Sequence, residues 1–238
     1  MFGIKIRHNL LKSGILEGKT DIHSHLLPGV DDGSPDMAHS LELLDYMQEL
    51  GYTSVWLTPH VMSDLHNTAA KLQGRFSELK TQYHGPLTLH LASEYMMDAA
   101  FEERLNTDAL RLGRDHLLVE TSYMSAPVDL DDILLKVWNK GYHPLIAHPE
   151  RYMYMEEDDY WSLRDRGYEF QLNLMSLSGY YGGRPKYVAE QLLDEDFYDF
   201  VGTDLHHIDR YDEFLRNLKL TRRQLDQLEE LLANNANV

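Results

Sequence analysis

His23 and His25 stand two residues apart in Thr20-Asp21-Ile22-His23-Ser24-His25-Leu26-Leu27-Pro28-Gly29-Val30-Asp31-Asp32. If 21–26 is a strand, both imidazoles leave the same face, because side chains along a strand alternate. Pro28-Gly29 then turns the chain, and Asp32 follows within reach of the pair. Imidazoles at a strand end with a carboxylate just beyond suit a borderline or hard divalent cation. A bare His-x-His is more often incidental than ligating, so recurrence has to decide. Similar donors do recur just past other strand-like runs. His60 follows 54–58, Glu94 follows 87–93, Glu120 follows 116–119, and His148 follows 144–147. Asp204 and His206 follow 199–203.

These runs need helices between them to bring their ends to one place. Met37, Leu41, Leu44, Met47 and Leu50 recur at helical spacing, with Ser34 as N-cap, Pro35 at the first helical position and Gly51 at C′. Residues 69–83 read as a helix through Ala70, Leu72, Phe76 and Leu79, and 98–112 as helix or loop. Asp129, Asp131 and Asp132 crowd a helix N-terminus, where the macrodipole favours anions, ahead of a buried face of Ile133, Leu134, Val137 and Trp138. Further helices are expected near 158–166 and 185–195, flanking a sixth strand at 169–174. Thr221 and Gln224 form a capping box for a last helix that packs through Leu225, Leu228 and Leu232.

Seven strand-like runs alternating with helices argue a parallel sheet, one strand short of the eight-stranded barrel. The expected fold is therefore α/β, a distorted (β/α)7 TIM-like barrel. It would occupy 20–238, including the C-terminal packing helix, after an N-terminal extension at 1–19. In such barrels the C-terminal rim carries the chemistry, with several strands contributing. Nine donors on one rim exceed what a single zinc needs, so two or three divalent ions with a bridging carboxylate are expected. Each donor alone has a plainer reading as a capping, packing or loop-facing residue. Those plainer readings would have to hold independently at six of the seven strand ends. The other eight histidines (His8, His39, His66, His84, His90, His116, His143 and His207) are left as packing or surface residues.

Composition narrows the function classes. The chain of 238 residues has no cysteine, which excludes a disulfide framework, a thiolate metal site and a cysteine nucleophile. A formal charge of −17 argues against a nucleic-acid partner, whose phosphates demand Lys and Arg. No segment approaches the roughly twenty apolar residues of a membrane span, and 1–19 carries no signal-like apolar run. A cytoplasmic protein without stable membrane insertion is expected.

The segments 20–33, Thr58-Pro59-His60, Ser93-Glu94-Tyr95, His148-Pro149-Glu150-Arg151-Tyr152 and Gly202-Thr203-Asp204-Leu205-His206 resemble the PHP (polymerase and histidinol phosphatase) superfamily. Within it they resemble the metal-dependent tyrosine-protein phosphatases of bacterial capsule and exopolysaccharide operons. The likeness runs over about 18–215; the extension before Asp21 and the loop at 207–210 depart from it. It implies a PHP barrel with three metal ions, manganese first and iron or zinc as alternatives. One ion would be held by His23, His25, Glu94 and Asp204. A second would be bridged by Glu94 and held by Glu120 and His148, and a third by Asp32, His60 and His206.

A multinuclear rim suits phosphomonoester hydrolysis, because metals deliver hydroxide near neutral pH and clamp phosphoryl oxygens. Tyrosine phenolate, with a pKa near 10, leaves without strong acid help. Arg151 and Arg210 are the expected phosphate clamps, since a guanidinium fork matches phosphate. The resemblance alone implies the substrate, a phosphotyrosine-containing protein such as an autophosphorylating bacterial tyrosine kinase controlling polysaccharide export. The alternatives are a small-molecule phosphatase such as histidinol phosphatase, a nuclease-like PHP module, and a metal-binding scaffold without turnover.

Overall fold

The computed structural model describes residues 6–107 and 109–238. In chain order the strands and helices are β1 (Arg7–Asn9), α1 (Leu10–Ser13), β2 (Thr20–Asp21), α2 (Met37–Glu49), β3 (Ser54–Leu57), β4 (His60–Val61) and α3 (Ala69–Gln82). There follow β5 (Thr88–Leu91), β6 (Glu94–Met96), α4 (Phe101–Thr107), β7 (His116–Glu120), α5 (Leu130–Asn139), β8 (His143–Ala147) and α6 (Glu157–Asp165). The last group is β9 (Glu169–Asn173), α7 (Gly183–Asp194), β10 (Phe200–Gly202), α8 (Asp209–Asn217), β11 (Lys219–Thr221) and α9 (Arg222–Asn234).

The strands build seven parallel staves in two overlapping sheets, one ordered β2-β3-β5 and the other β4-β6-β7-β8-β9-β10. Two staves are broken in the middle. β3 continues as β4 and β5 as β6, so the chain switches sheets at Thr58-Pro59 and at Ala92-Ser93. Proline lacks the N–H a ladder needs, which accounts for the first break. The barrel closes where the first stave meets the last. Asp204 N donates to His23 O at 2.8 Å, and His25 N donates to Leu205 O at 2.9 Å. This is the distorted (β/α)7 barrel expected from the alternation.

Strand parity sorts the side chains. On β7, Leu117 and Val119 join the large core between strands and helices, whereas Leu118 faces inward with Ile22, Ala92, Leu145, Ala147 and Phe200. His116 and Glu120 share the parity of Leu118 and mark the floor and rim of the lumen. Outside, α2 buries Leu43, Leu44 and Met47, α5 buries Leu134 and Val137, and α9 buries Leu225, Leu228 and Leu232. The capping box at Thr221 and Gln224 forms as expected.

Several local expectations change. The stretch 21–26 is a ladder only at Thr20–Asp21, after which one bridge joins Ser24 to Leu205. Its backbone is shared between neighbours on both sides, since Thr58 N donates to Ser24 O. Asp36, not Ser34, caps α2, because its side chain accepts from His39 N while the Ser34 hydroxyl bonds to Asp36 O. Glu94 opens a strand rather than ending one. Residues 7–9 do not trail free: β1 pairs antiparallel with β11, and Leu10 and Leu16 are buried. No helix among the described residues is long and apolar enough to cross a membrane.

Candidate metal centre

All nine expected donors meet at the C-terminal mouth. His23 and His25 lie on the same side, their Nε2 atoms 3.2 Å apart. Each Nε2 stands 3.3–3.4 Å from both Glu94 Oε2 and Asp204 Oδ1. His60 turns Nδ1 to Glu94 Oε2 at 3.1 Å and to Glu120 Oε1 at 3.0 Å, and Nε2 to Asp32 Oδ1 at 3.5 Å. His206 Nε2 is 3.4 Å from the same Asp32 oxygen. His148 Nε2 completes the set, 2.9 Å from Glu94 Oε1 and 3.9 Å from Glu120 Oε2.

Three donor groups can each surround a cation: His23, His25, Glu94 and Asp204; His60, Glu94 and Glu120; and His25, Asp32, His60 and His206. They overlap at His25, His60 and Glu94, so cations held there would be neighbours sharing ligands. The overlap exceeds that in the partition implied by the resemblance, which shares Glu94 alone.

The donor atoms fit metal better than they fit one another. His60 Nδ1, Glu94 Oε2 and Glu120 Oε1 are buried without a hydrogen bond, although they approach within 3.0–3.1 Å. Unpaired buried lone pairs are costly, and a shared cation satisfies all of them. The electrostatics agree. Burial would raise the Glu94 carboxyl, yet His23, His60 and His148 pull it well below the ordinary carboxylate range. Burial likewise opposes ionised Asp204, but His23, His25, His206 and Arg151 hold it well down. Burial and the nearby His25 would lower His60, yet Glu94 and Glu120 lift it to about 9. The cluster therefore attracts positive charge strongly, as a site for cations would.

A supporting ring fixes these donors. His23 Nδ1 donates to Gln171 Oε1 and His25 Nδ1 to Asp31 Oδ2, both at 2.9 Å, leaving each Nε2 lone pair facing the centre. Asp31 Oδ2 also accepts from His60 N at 3.0 Å. Asp204 Oδ2 accepts from Arg151 Nη1 at 2.7 Å, Asn173 Nδ2 at 2.9 Å and Tyr181 Oη at 3.3 Å. The backbone contributes as well. His148 and Asp204 hold φ of +34° and +50°, a left-handed conformation rare outside glycine and concentrated at functional sites. Gly202 allows β10 to cross His23, since a Cβ there would lie 2.5 Å from His23 Cβ.

Above the donors lies a cavity of about 270 Å³, lined among others by Glu94, His206, Arg151, Tyr123, Tyr180 and Tyr181. The Arg151 guanidinium is sandwiched 4.4 Å from the Tyr123 ring and 4.0 Å from the Tyr181 ring. Arg210 is not among the lining residues. It lies exposed on the first turn of α8, over Phe214 and Tyr180 at 5.5 and 5.8 Å. Asp31, Gln171 and Asn173 were not singled out from the sequence. Gln171 and Asn173 had a signal, for they alternate with the apolar Phe170 and Leu172 along the one stave given no donor.

A family model described as "Capsular polysaccharide synthesis, CpsB/CapC" matches residues 19–238. The chain belongs to the CpsB/CapC family. Among its family relatives, tyrosine-protein phosphatase YwqE of Bacillus subtilis is 28% identical over 196 residues, covering 79% of this chain and 77% of YwqE. Tyrosine-protein phosphatase CpsB of Streptococcus pneumoniae is 28% identical over 206 residues, covering 79% and 83%. A crystal structure from work on YwqE and CpsB, described as metal-dependent tyrosine phosphatases, superposes with TM-score 0.76 at 26% identity. It covers 91% of this chain and 94% of that one.

Proposed function

We propose that this CpsB/CapC protein is a metal-dependent protein tyrosine phosphatase, acting on the phosphotyrosine tail of an autophosphorylating kinase in capsule or exopolysaccharide synthesis. The observation that carries the reading is the convergence of nine imidazole and carboxylate donors beneath Arg151 in a tyrosine-walled cavity. The names of its relatives support the substrate class.

His23, His25, Asp32, His60, Glu94, Glu120, His148, Asp204 and His206 would hold three divalent ions, manganese before iron or zinc; the three overlapping donor groups support that number. Ions bound there supply hydroxide at neutral pH and neutralise phosphoryl oxygens. The protein's own groups do the rest. Arg151 presents a guanidinium beside the donors, with the Tyr123 and Tyr181 rings packed against it. It receives phosphate oxygens while Asn173 and Tyr181 keep Asp204 in place. The aromatic walls accept the substrate ring edge-on or offset. The phenolate departs as the P–O bond breaks, with little need of a proton donor. Since the chain has no cysteine, no phosphocysteine forms.

The test compares turnover of a phosphotyrosine peptide with that of histidinol phosphate, with manganese added, with and without chelator. Chelator-sensitive preference for the peptide is expected. Preference for histidinol phosphate makes the protein a small-molecule phosphatase, and absence of turnover with metal bound makes it a scaffold.

A further inference from the structure

A second polar layer lies at the opposite end of the barrel, running from buried His116 to exposed His143. His116, His143 and Glu169 begin three adjacent staves, β7, β8 and β9, and each offers a ligand atom within 4.8 Å of the others. The ladder registers set them side by side, with His116 opposite His143 and Glu169 opposite Leu145, two residues further along β8. Apolar side chains, among them Leu118, Leu145 and Phe200, separate this layer from the donors at the mouth. It is therefore not an outlying part of the catalytic cluster.

His116 shows what the layer is suited to. It is buried, its Nε2 lies 2.7 Å from Glu169 Oε2, and its ring sits edge-on to Phe200 at 5.2 Å. Its Nδ1 is also buried and makes no hydrogen bond, yet the nearest carboxylate oxygen, Asp115 Oδ1, stands 3.6 Å away. In a neutral ring donating Nε2–H to Glu169, the Nδ1 lone pair would face that carboxylate, which is repulsive. Placing a cation on Nε2 reverses the ring. The proton moves to Nδ1 and points toward Asp115, the arrangement by which metal-bound histidines are usually supported. His143 is held for the same purpose by stacking on Trp138, 4.8 Å between centroids and 26° apart.

We infer that His116, His143 and Glu169 form a further cation site at the barrel floor, separate from the catalytic metals. Two imidazoles and one carboxylate with a position left open is a zinc-type donor set. Its position across three neighbouring staves makes it a structural fastener. Hydrolysis does not require it.

Zinc is the probe, measured on the full-length chain in two backgrounds. In the first, His23→Ala with Asp204→Ala removes two donors from the mouth, where the group of His25, Asp32, His60 and His206 and that of His60, Glu94 and Glu120 remain as a constant background. Zinc retained after desalting is then measured with and without an added His143→Ala or Glu169→Gln. One zinc per chain is expected to disappear with either added substitution. Cobalt substituted into the same background should show tetrahedral absorption that is lost with His143→Ala. In the second background, otherwise unaltered protein carrying His143→Ala should keep its circular dichroism and its manganese-dependent turnover, yet lose the rise in unfolding temperature that zinc gives below one equivalent. Equal zinc content with and without His143 and Glu169 overturns the inference, leaving His116 as a hydrogen-bonded core histidine. Loss of manganese-dependent turnover in His143→Ala overturns the claim that the two sites are separate. Failure to hydrolyse phosphotyrosine does neither, because zinc retention does not depend on the substrate.

Discussion

Gly202→Ala tests the metal centre without removing a donor. The added Cβ would stand 2.5 Å from His23 Cβ and 2.9 Å from Gln171 Nε2, where carbon contacts settle at about 3.5–4.0 Å. His23 and β10 must therefore separate by roughly an ångström. Overpacking of this kind costs about 1–3 kcal/mol. At about 2–4 °C per kcal/mol for a chain of this size, the unfolding temperature should fall by about 2–12 °C. The functional loss should be larger than that suggests. Metal sites tolerate about 0.2 Å in ligand distance, and an ångström of misplacement can reduce turnover by about 100-fold. Gly202→Ala should therefore fold, lose metal from the group of His23, His25, Glu94 and Asp204, and drop in kcat/KM on a phosphotyrosine peptide by about two orders of magnitude. Elemental analysis, thermal unfolding and steady-state kinetics read the three effects. Full metal content with unchanged turnover would refute the reasoning, because His23 could then not be a ligand pressed against β10.

His23→Ala or Asp204→Ala should lose the cation of the group these residues form with His25 and Glu94, and phosphatase activity with it, while far-ultraviolet dichroism stays native; turnover with that cation gone would move the chemistry elsewhere. Gln171→Leu removes the acceptor that orients His23, so metal affinity in chelator competition should weaken by about 10–100-fold. Arg151→Ala leaves Asn173 and Tyr181 on the same Asp204 oxygen. Its KM for a phosphotyrosine peptide should rise at least about tenfold, as expected for a lost charge-assisted bidentate contact, with metal content intact. Loss of metal instead would make Arg151 a support for Asp204.

Much of the donor set was legible because a barrel translates strand ends into a ring. Alternation along each run and a polar residue at its C-terminal end were enough to assemble His23, Glu94, Glu120, His148 and Asp204. What the sequence hid was of two kinds. Asp31 stands beside Asp32 with the same side chain, and only the fold of the Pro28-Gly29 turn decides which one meets His25 Nδ1 and which faces His60 and His206. Long-range pairing was the other. β1 and β11 are three residues each and join across the length of the chain, so neither carries a local pattern. α8 was missed because its nine residues bury only Tyr211 and Leu215. The helix start was misplaced because Ser34 and Asp36 compete as caps, and Ser34 is occupied tying the loop to Ser40. Arg210 looked like a clamp from its distance along the chain, but a helical first turn carried it to the outside.

The barrel closes only when the segment around Leu205 reaches Ser24, and two donors, Asp204 and His206, arrive with that segment. A ribosome making this chain therefore passes residue 204 before the group of His23, His25, Glu94 and Asp204 can be complete. The group of His60, Glu94 and Glu120 draws on earlier staves alone, whereas the two groups that include Asp204 or His206 wait for the last stave. A nascent chain stalled or clipped ahead of residue 204 would be inert towards phosphate esters however well its first staves had folded. Activity towards phosphate esters would thus report on whether the last stave is in place.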